Sequence, residues 1–124
     1  MNPPASSDAF TLERHGDVTV ILTSPVLETM EPGLLSGAST LLLDAMRRDP
    51  CPQLVVDLSQ LQYFGSAFLA LLIRCWKLAT TRGGAMVLAG VSDRAKDLLH
   101  MTSLDTVWPI YADVREAIEV LEAE

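Results

Sequence analysis

Ser66 lies in "QYFGSAFLALL", at the step from a polar turn into an unbroken apolar segment. A hydroxyl in such a place can serve as a nucleophile, accept a phosphate or cap a helix. As a nucleophile it needs a base. His15 and His100 are the only histidines, and nothing in the sequence brings either to Ser66. Gly65-Ser66-Ala67 superficially resembles a nucleophile elbow, but the flanking G-x-S-x-G pattern is missing, so a Ser66-dependent hydrolase is the weakest reading. Two isolated histidines and scattered carboxylates make no metal-ligand set, and no Gly-rich phosphate loop is present. No catalytic residue, metal site or cofactor is therefore expected. Trp76, Trp108, Tyr63 and Phe68 fall among apolar neighbours and read as core.

On a helical wheel Ser66, Ala70, Arg74, Lys77 and Thr81 share one side, with Phe68, Leu72, Cys75 and Ala79 opposite and Leu69 and Ile73 on the flanks. An outward hydroxyl beside Ala67 and Ala70 is a surface that another protein can approach closely. Serine is also a preferred N-cap, worth about 1 kcal/mol over alanine, and that alone accounts for a serine at this junction. The two roles are compatible. A helix N-terminus presents free N–H groups and the positive end of the dipole, so a phosphate on Ser66 would be tolerated while changing the local charge by about −1.5 to −2.

The elements that must hold Ser66 follow from periodicity. Phe10, Leu12 and Arg14, then Val18, Val20 and Leu22, alternate around His15-Gly16-Asp17 and predict a hairpin. Pro32 fits the first turn of a helix whose inward stripe is expected at Leu34, Ala38, Leu41, Leu42 and Ala45, ending at Arg47-Arg48-Asp49-Pro50. Leu54-Val55-Val56 reads as a covered strand in a parallel pair. The Ser66 helix should stop at Arg82-Gly83-Gly84, with glycine in the left-handed cap conformation. "AMVLA" is a further buried strand, Ser92 an N-cap, and "TVWPIY" a short edge strand limited by Pro109. Asp113 and Glu116 stand at capping-box spacing before a helix with Val114, Ala117, Ile118 and Leu121 inward. The order β-β-α-β-α-β-α-β-α requires right-handed crossovers and a mixed sheet, an α/β fold.

Composition bounds the function. At 124 residues, 49% hydrophobic and 20% charged, the chain fits one domain spanning 1–124, with 1–8 expected as a flexible N-terminus. A net charge of −7 disfavours nucleic acid and anionic membranes as partners. The start lacks a basic segment followed by an apolar one, and the longest apolar run, Ala67 to Ile73, falls well short of the roughly 20 residues of a membrane helix. A soluble cytoplasmic protein without membrane insertion is expected. Cys51 and Cys75 lack any CxxC or zinc spacing and read as free thiols.

"VVDLSQLQYFGSAFLALL" resembles the central motif of STAS domains of the anti-sigma-factor antagonist family, through Asp57, Leu58, Ser59, Leu61, Tyr63, Ser66 and Leu69. "RGGAMVLAGVSDRAKDLLHMTSLDTVWPIYADVREAI" is similar to the family's later strand, S-P-x-V-x-x-L-L segment and final helix. The resemblance implies a STAS-like mixed sheet with an N-terminal hairpin, βα crossovers and helices mainly on one face. It implies a non-enzymatic bacterial regulator of transcription, binding an anti-sigma factor with serine-kinase activity, with Ser66 as phospho-acceptor and a serine phosphatase as the restoring activity. The partner-binding residues are then Ser59, Gly65, Ser66, Ala67, Ala70 and Arg74. A STAS-like scaffold or ligand-sensing module, in which Ser66 is only a cap, is the alternative. The chain departs from the family pattern at Gly65 in place of Asp, Ala67 in place of a second hydroxyl residue, Phe68 in place of Gly, and "SPVL" at Ser24 to Leu27 in place of G-E-L-D.

Overall fold

The structure, a computed structural model, describes residues 9–123, so the expected flexible segment 1–8 lies outside the described residues. A hairpin of β1 (Phe10–His15) and β2 (Val18–Thr23) opens the chain, followed by a 3-10 turn at Pro25–Glu28 and α1 (Pro32–Arg47). Then come β3 (Gln53–Asp57), α2 (Ser66–Thr81), β4 (Ala85–Ala89), α3 (Asp93–Met101), β5 (Ile110–Tyr111) and α4 (Val114–Ala123). The strands lie in the order β1-β2-β3-β4-β5, with β1 antiparallel to β2 and the remaining pairs parallel. This is the mixed α/β sheet expected from the element order.

Period-two alternation sends the sheet's side chains to two cores. Ile21, Leu54, Val56, Met86 and Leu88 join the larger core beneath α1, α2 and α3. Val18, Val20, Val55, Val87 and Ala89 face the other way and are covered by Ala117 and Leu121 of α4. Three helices therefore share one face, and β3 is buried on both. The caps agree with the sequence: Ser92 Oγ accepts from the Ala95 N–H at 3.1 Å, the Asp113 carboxylate accepts from the Glu116 N–H at 2.9 Å, and Gly83 takes φ +79° after α2.

Several expectations are corrected. On α1 the inward set is Leu35, Ala38, Leu42, Leu43 and Met46, while Leu34 and Leu41 are 65% and 46% exposed. The helix is apolar or small nearly all round, so two neighbouring stripes satisfy a 3.6-residue period. Ser39 faces inward because its hydroxyl donates to the Leu35 carbonyl at 2.7 Å, which removes the cost of burying it. The expected strand "TVWPIY" is reduced to Ile110–Tyr111. The Val107 N–H, at 3-10 spacing, and the Trp108 N–H, at α spacing, both donate to the Leu104 carbonyl, so the chain is still turning at Trp108, whose side chain is buried in the core. Tyr63, expected in the core, is 39% exposed.

Candidate partner-binding site at the start of the second helix

The loop from β3 to α2 is fastened at both ends and in the middle. Asp57 Oδ1 accepts from the Ser59 N–H at 3.0 Å, and the Leu58 N–H donates to the Ala89 carbonyl at 2.9 Å. Leu58, Leu61 and Phe64 are buried anchors. Gly90 has φ +67°, and a Cβ there would stand 2.9 Å from that of Ser59, so the loops after β3 and β4 meet through a glycine. In the middle, the Gln62 N–H donates to Glu28 Oε2 at 3.0 Å, and the Ser92 hydroxyl donates to the Gln62 carbonyl at 2.7 Å. The Arg94 guanidinium lies 4.6 Å from the centre of the Tyr63 ring. The 3-10 turn, the loop and the start of α3 thus hold the backbone that delivers Ser66.

Gly65, not Ser66, is the N-cap of α2, with extended φ −91° and ψ −176° and no side chain to bond the first turn. Ser66 is the first helical residue. This corrects the cap reading of Ser66, whose backbone is helical and whose side chain makes no capping bond to the first turn. Ser66 is exposed, and its hydroxyl makes no hydrogen bond among the described residues. The first intrahelical bond runs from the Leu69 N–H to the Gly65 carbonyl at 3.1 Å, leaving the preceding N–H groups without helical partners. No acidic side chain lies in this turn to offset the dipole.

Phe68 fixes the seating of the helix. Its ring is stacked 6.3 Å from Phe10 and meets Phe64 edge-on at 5.3 Å, and it is 3% exposed. With Phe68, Leu71, Leu72, Cys75 and Ala79 inward, Ser66, Ala67, Ala70, Arg74, Lys77 and Thr81 are exposed. Burial pushes the Cys75 thiol up to about 12, the neighbouring Arg74 charge acting in the opposite direction. Of the site residues read from the sequence, Gly65, Ser66, Ala67, Ala70 and Arg74 form one continuous stripe on α2. Ser59 is exposed in the loop that leads to it.

The sequence reading missed the α1 side of this surface. Leu35, Ser36 and Ser39 of α1 face Ala67, Ala70, Leu71 and Arg74 of α2 across a groove of about 220 Å³. Only the pairing of the two helices in space shows it; small residues at Ser36, Ser39, Ala67 and Ala70 were its one sequence signal. The "SPVL" segment, where Ser24 accepts from the Val26 N–H at 3.3 Å and Leu27 is buried, forms the 3-10 turn that presents Glu28 to Gln62.

No base is assembled at Ser66. His15 lies 3.3 Å from Glu13, in a strand position paired with Val18, which neighbours Gln53 at the start of β3. Ser66 follows the other end of β3, about 13 Å along the strand at 3.3 Å per residue. His100 bonds Asp105 at 2.9 Å in the last turn of α3, the end remote from Ser92 and Gln62. Among the described residues no group of three His, Cys, Asp or Glu is placed to hold a metal ion, and no helix is long and apolar enough to cross a membrane.

The family model described as the STAS domain matches residues 11–117. The chain belongs to the STAS domain family. A relative from Paenibacillus polymyxa, named anti-sigma F factor antagonist, is 32% identical over 111 residues, covering 90% of this chain and 92% of the relative. A solved anti-sigma-factor antagonist (STAS) domain protein from Planctomyces limnophilus superposes with TM-score 0.81 at 28% identity, over 92% of this chain and 98% of its own. A putative anti-sigma factor antagonist from Thermotoga maritima shares the fold, with TM-score 0.79 at 20% identity over 91% and 94% of the two chains. The STAS domain described here is of the anti-sigma-factor-antagonist type.

Proposed function

We propose that this STAS domain is a non-enzymatic regulator that binds an anti-sigma factor with serine-kinase activity through the exposed start of α2. Phosphorylation of Ser66 ends the binding, and a serine phosphatase restores it. The carrying observation is the state of Ser66: an exposed hydroxyl on the first helical residue, free of hydrogen bonds and beside N–H groups that no side chain caps. The named Paenibacillus polymyxa relative supports the anti-sigma factor as the partner class. A helix N-terminus accommodates a phosphate without unfolding, so the modification changes the surface and leaves the fold intact.

A second reading is favoured by Gly65, which supplies no carboxylate to orient the Ser66 hydroxyl. In it the same stripe binds a partner and is never phosphorylated. Incubating the chain with a purified anti-sigma-factor kinase and ATP, followed by mass spectrometry, separates the two. A phosphate on Ser66 carries the switch, and an unmodified Ser66 in a stable complex carries the scaffold.

A further inference from the structure

We propose that two copies of this chain pair through the outward face of α1, antiparallel about Gly37, with Leu34 of each copy seated against Leu41 of the other. On a helical wheel Leu34, Gly37, Leu41 and Arg48 fall within about 60° of one another. They point away from Leu35, Leu42 and Met46, which fill the core. All four are exposed, and the two leucines make this the side of α1 that the chain's own packing leaves apolar and uncovered. Nothing within the chain accounts for glycine at position 37. Its backbone is ordinary helix, and an added Cβ would meet nothing within 4 Å, so alanine would serve the isolated chain better. A glycine in the middle of an exposed apolar stripe lets the backbone of a second helix come close.

The stripe is its own complement. Leu34 lies about 4.5 Å before Gly37 along the axis and Leu41 about 6 Å after it, so a second copy reversed about Gly37 brings each leucine to its counterpart. The ends of the helix carry opposite charge. Glu31, the N-cap, and Arg48, the C-cap, are both exposed, and neither side chain makes an ion pair or a hydrogen bond among the described residues. Antiparallel pairing brings Arg48 of each copy to the Glu31 end of the other and sets the two helix dipoles in opposite directions. Parallel pairing would set Arg48 against Arg48 and Glu31 against Glu31, so charge selects the antiparallel arrangement. Asp44, the other acid on this side, already pairs with Arg47 at 2.7 Å. A different protein would have to present the same leucines and charges in reverse order, whereas a second copy does so by symmetry. The helix has 16 residues, about 24 Å, and a contact of that length is small, so the dimer should be weak, with Kd on the order of 10–100 µM.

Sedimentation velocity of the whole chain from about 1 to about 500 µM tests this, and a monomer-to-dimer transition centred in that range is expected. Leu34→Glu with Leu41→Glu should raise Kd at least about ten-fold. Gly37→Leu should do the same while leaving the circular dichroism spectrum and the urea midpoint no worse, because it improves the helix and blocks only the close approach. Arg48→Glu and Glu31→Arg should each weaken the dimer about three-fold, the effect of losing exposed ion pairs, and the variant carrying both should regain the original Kd. A chain that stays monomeric throughout, its α1 face left to a different protein, overturns the proposal. So does a dimer whose Kd the leucine and glycine variants leave unchanged, and a double charge variant no tighter than the single ones refutes the antiparallel pairing. None of these variants alters Ser66 and no kinase takes part, so their failure leaves the phosphorylation reading standing.

Discussion

Replacing Gly65 by Asp tests whether the start of α2 is an uncapped helix end. The backbone there is extended, with φ −91°, and an added Cβ would meet nothing within 4 Å, so a side chain fits without strain. Three effects then act in the same direction. Removing a glycine lowers the entropy of the unfolded chain, worth about 0.4–1 kcal/mol. An Asp carboxylate can accept from the first-turn N–H groups, worth a few tenths of a kcal/mol over glycine. Its charge offsets a dipole end that carries no acid, worth about 0.3–1 kcal/mol. These overlap, and together they predict a gain of about 1–2 kcal/mol. At about 4 °C per kcal/mol for a domain of this size, Tm rises by about 4–8 °C. Urea unfolding followed by circular dichroism measures the gain, and Gly65→Ala serves as the side-chain control without a carboxylate, its entropic gain offset by alanine's weaker preference for the N-cap. An Asp variant no more stable than the Ala variant refutes the uncapped-end reasoning, because the carboxylate would then have contributed nothing. The same substitution restores the family's Asp before Ser66, and it should raise the rate at which an anti-sigma-factor kinase modifies that serine.

Phe68→Ala removes a ring buried between Phe10 and Phe64 and should cost about 3–5 kcal/mol in urea unfolding; a cost below about 1 kcal/mol would show that Phe68 does not seat the helix. With a thiol-alkylating reagent at pH 8, exposed Cys51 should react in the folded protein and buried Cys75 only after denaturation, as peptide mass spectrometry would read. Because the folded Cys75 pKa is raised to about 12, its stabilising contribution is complete below the ordinary thiol value near 9 and is lost as pH climbs from there towards 12. The Cys75→Ala variant should therefore show a shallower loss of stability over that alkaline range.

Much of this architecture could be read from residues alone. The sheet, the outward stripe on α2 and the caps at Ser92 and Asp113 follow from period and local chemistry, which act over a few residues. The errors share one origin, because tertiary context chose between local alternatives. α1 offered two apolar stripes, and packing chose Leu35, Leu43 and Met46 over Leu34 and Leu41. Ser66 looked like a cap because serine favours caps, but the loop anchored by Phe64 and Phe68 puts Gly65 in that position. Tyr63 looked like core and instead lies under Arg94, a contact across 31 positions in the chain that no local pattern reveals. The α1–α2 groove was invisible for the same reason.

On the proposed function, Ser66 switches binding at the start of α2. Isothermal titration of one anti-sigma-factor kinase against the unmodified chain and against the Ser66-phosphorylated chain reads that switch. Phosphorylation adds about −1.5 to −2 charge to a surface that must be approached closely, so Kd is expected to rise at least about ten-fold, with the circular dichroism spectrum unchanged. Equal Kd values for the two forms would mean that Ser66 is no switch.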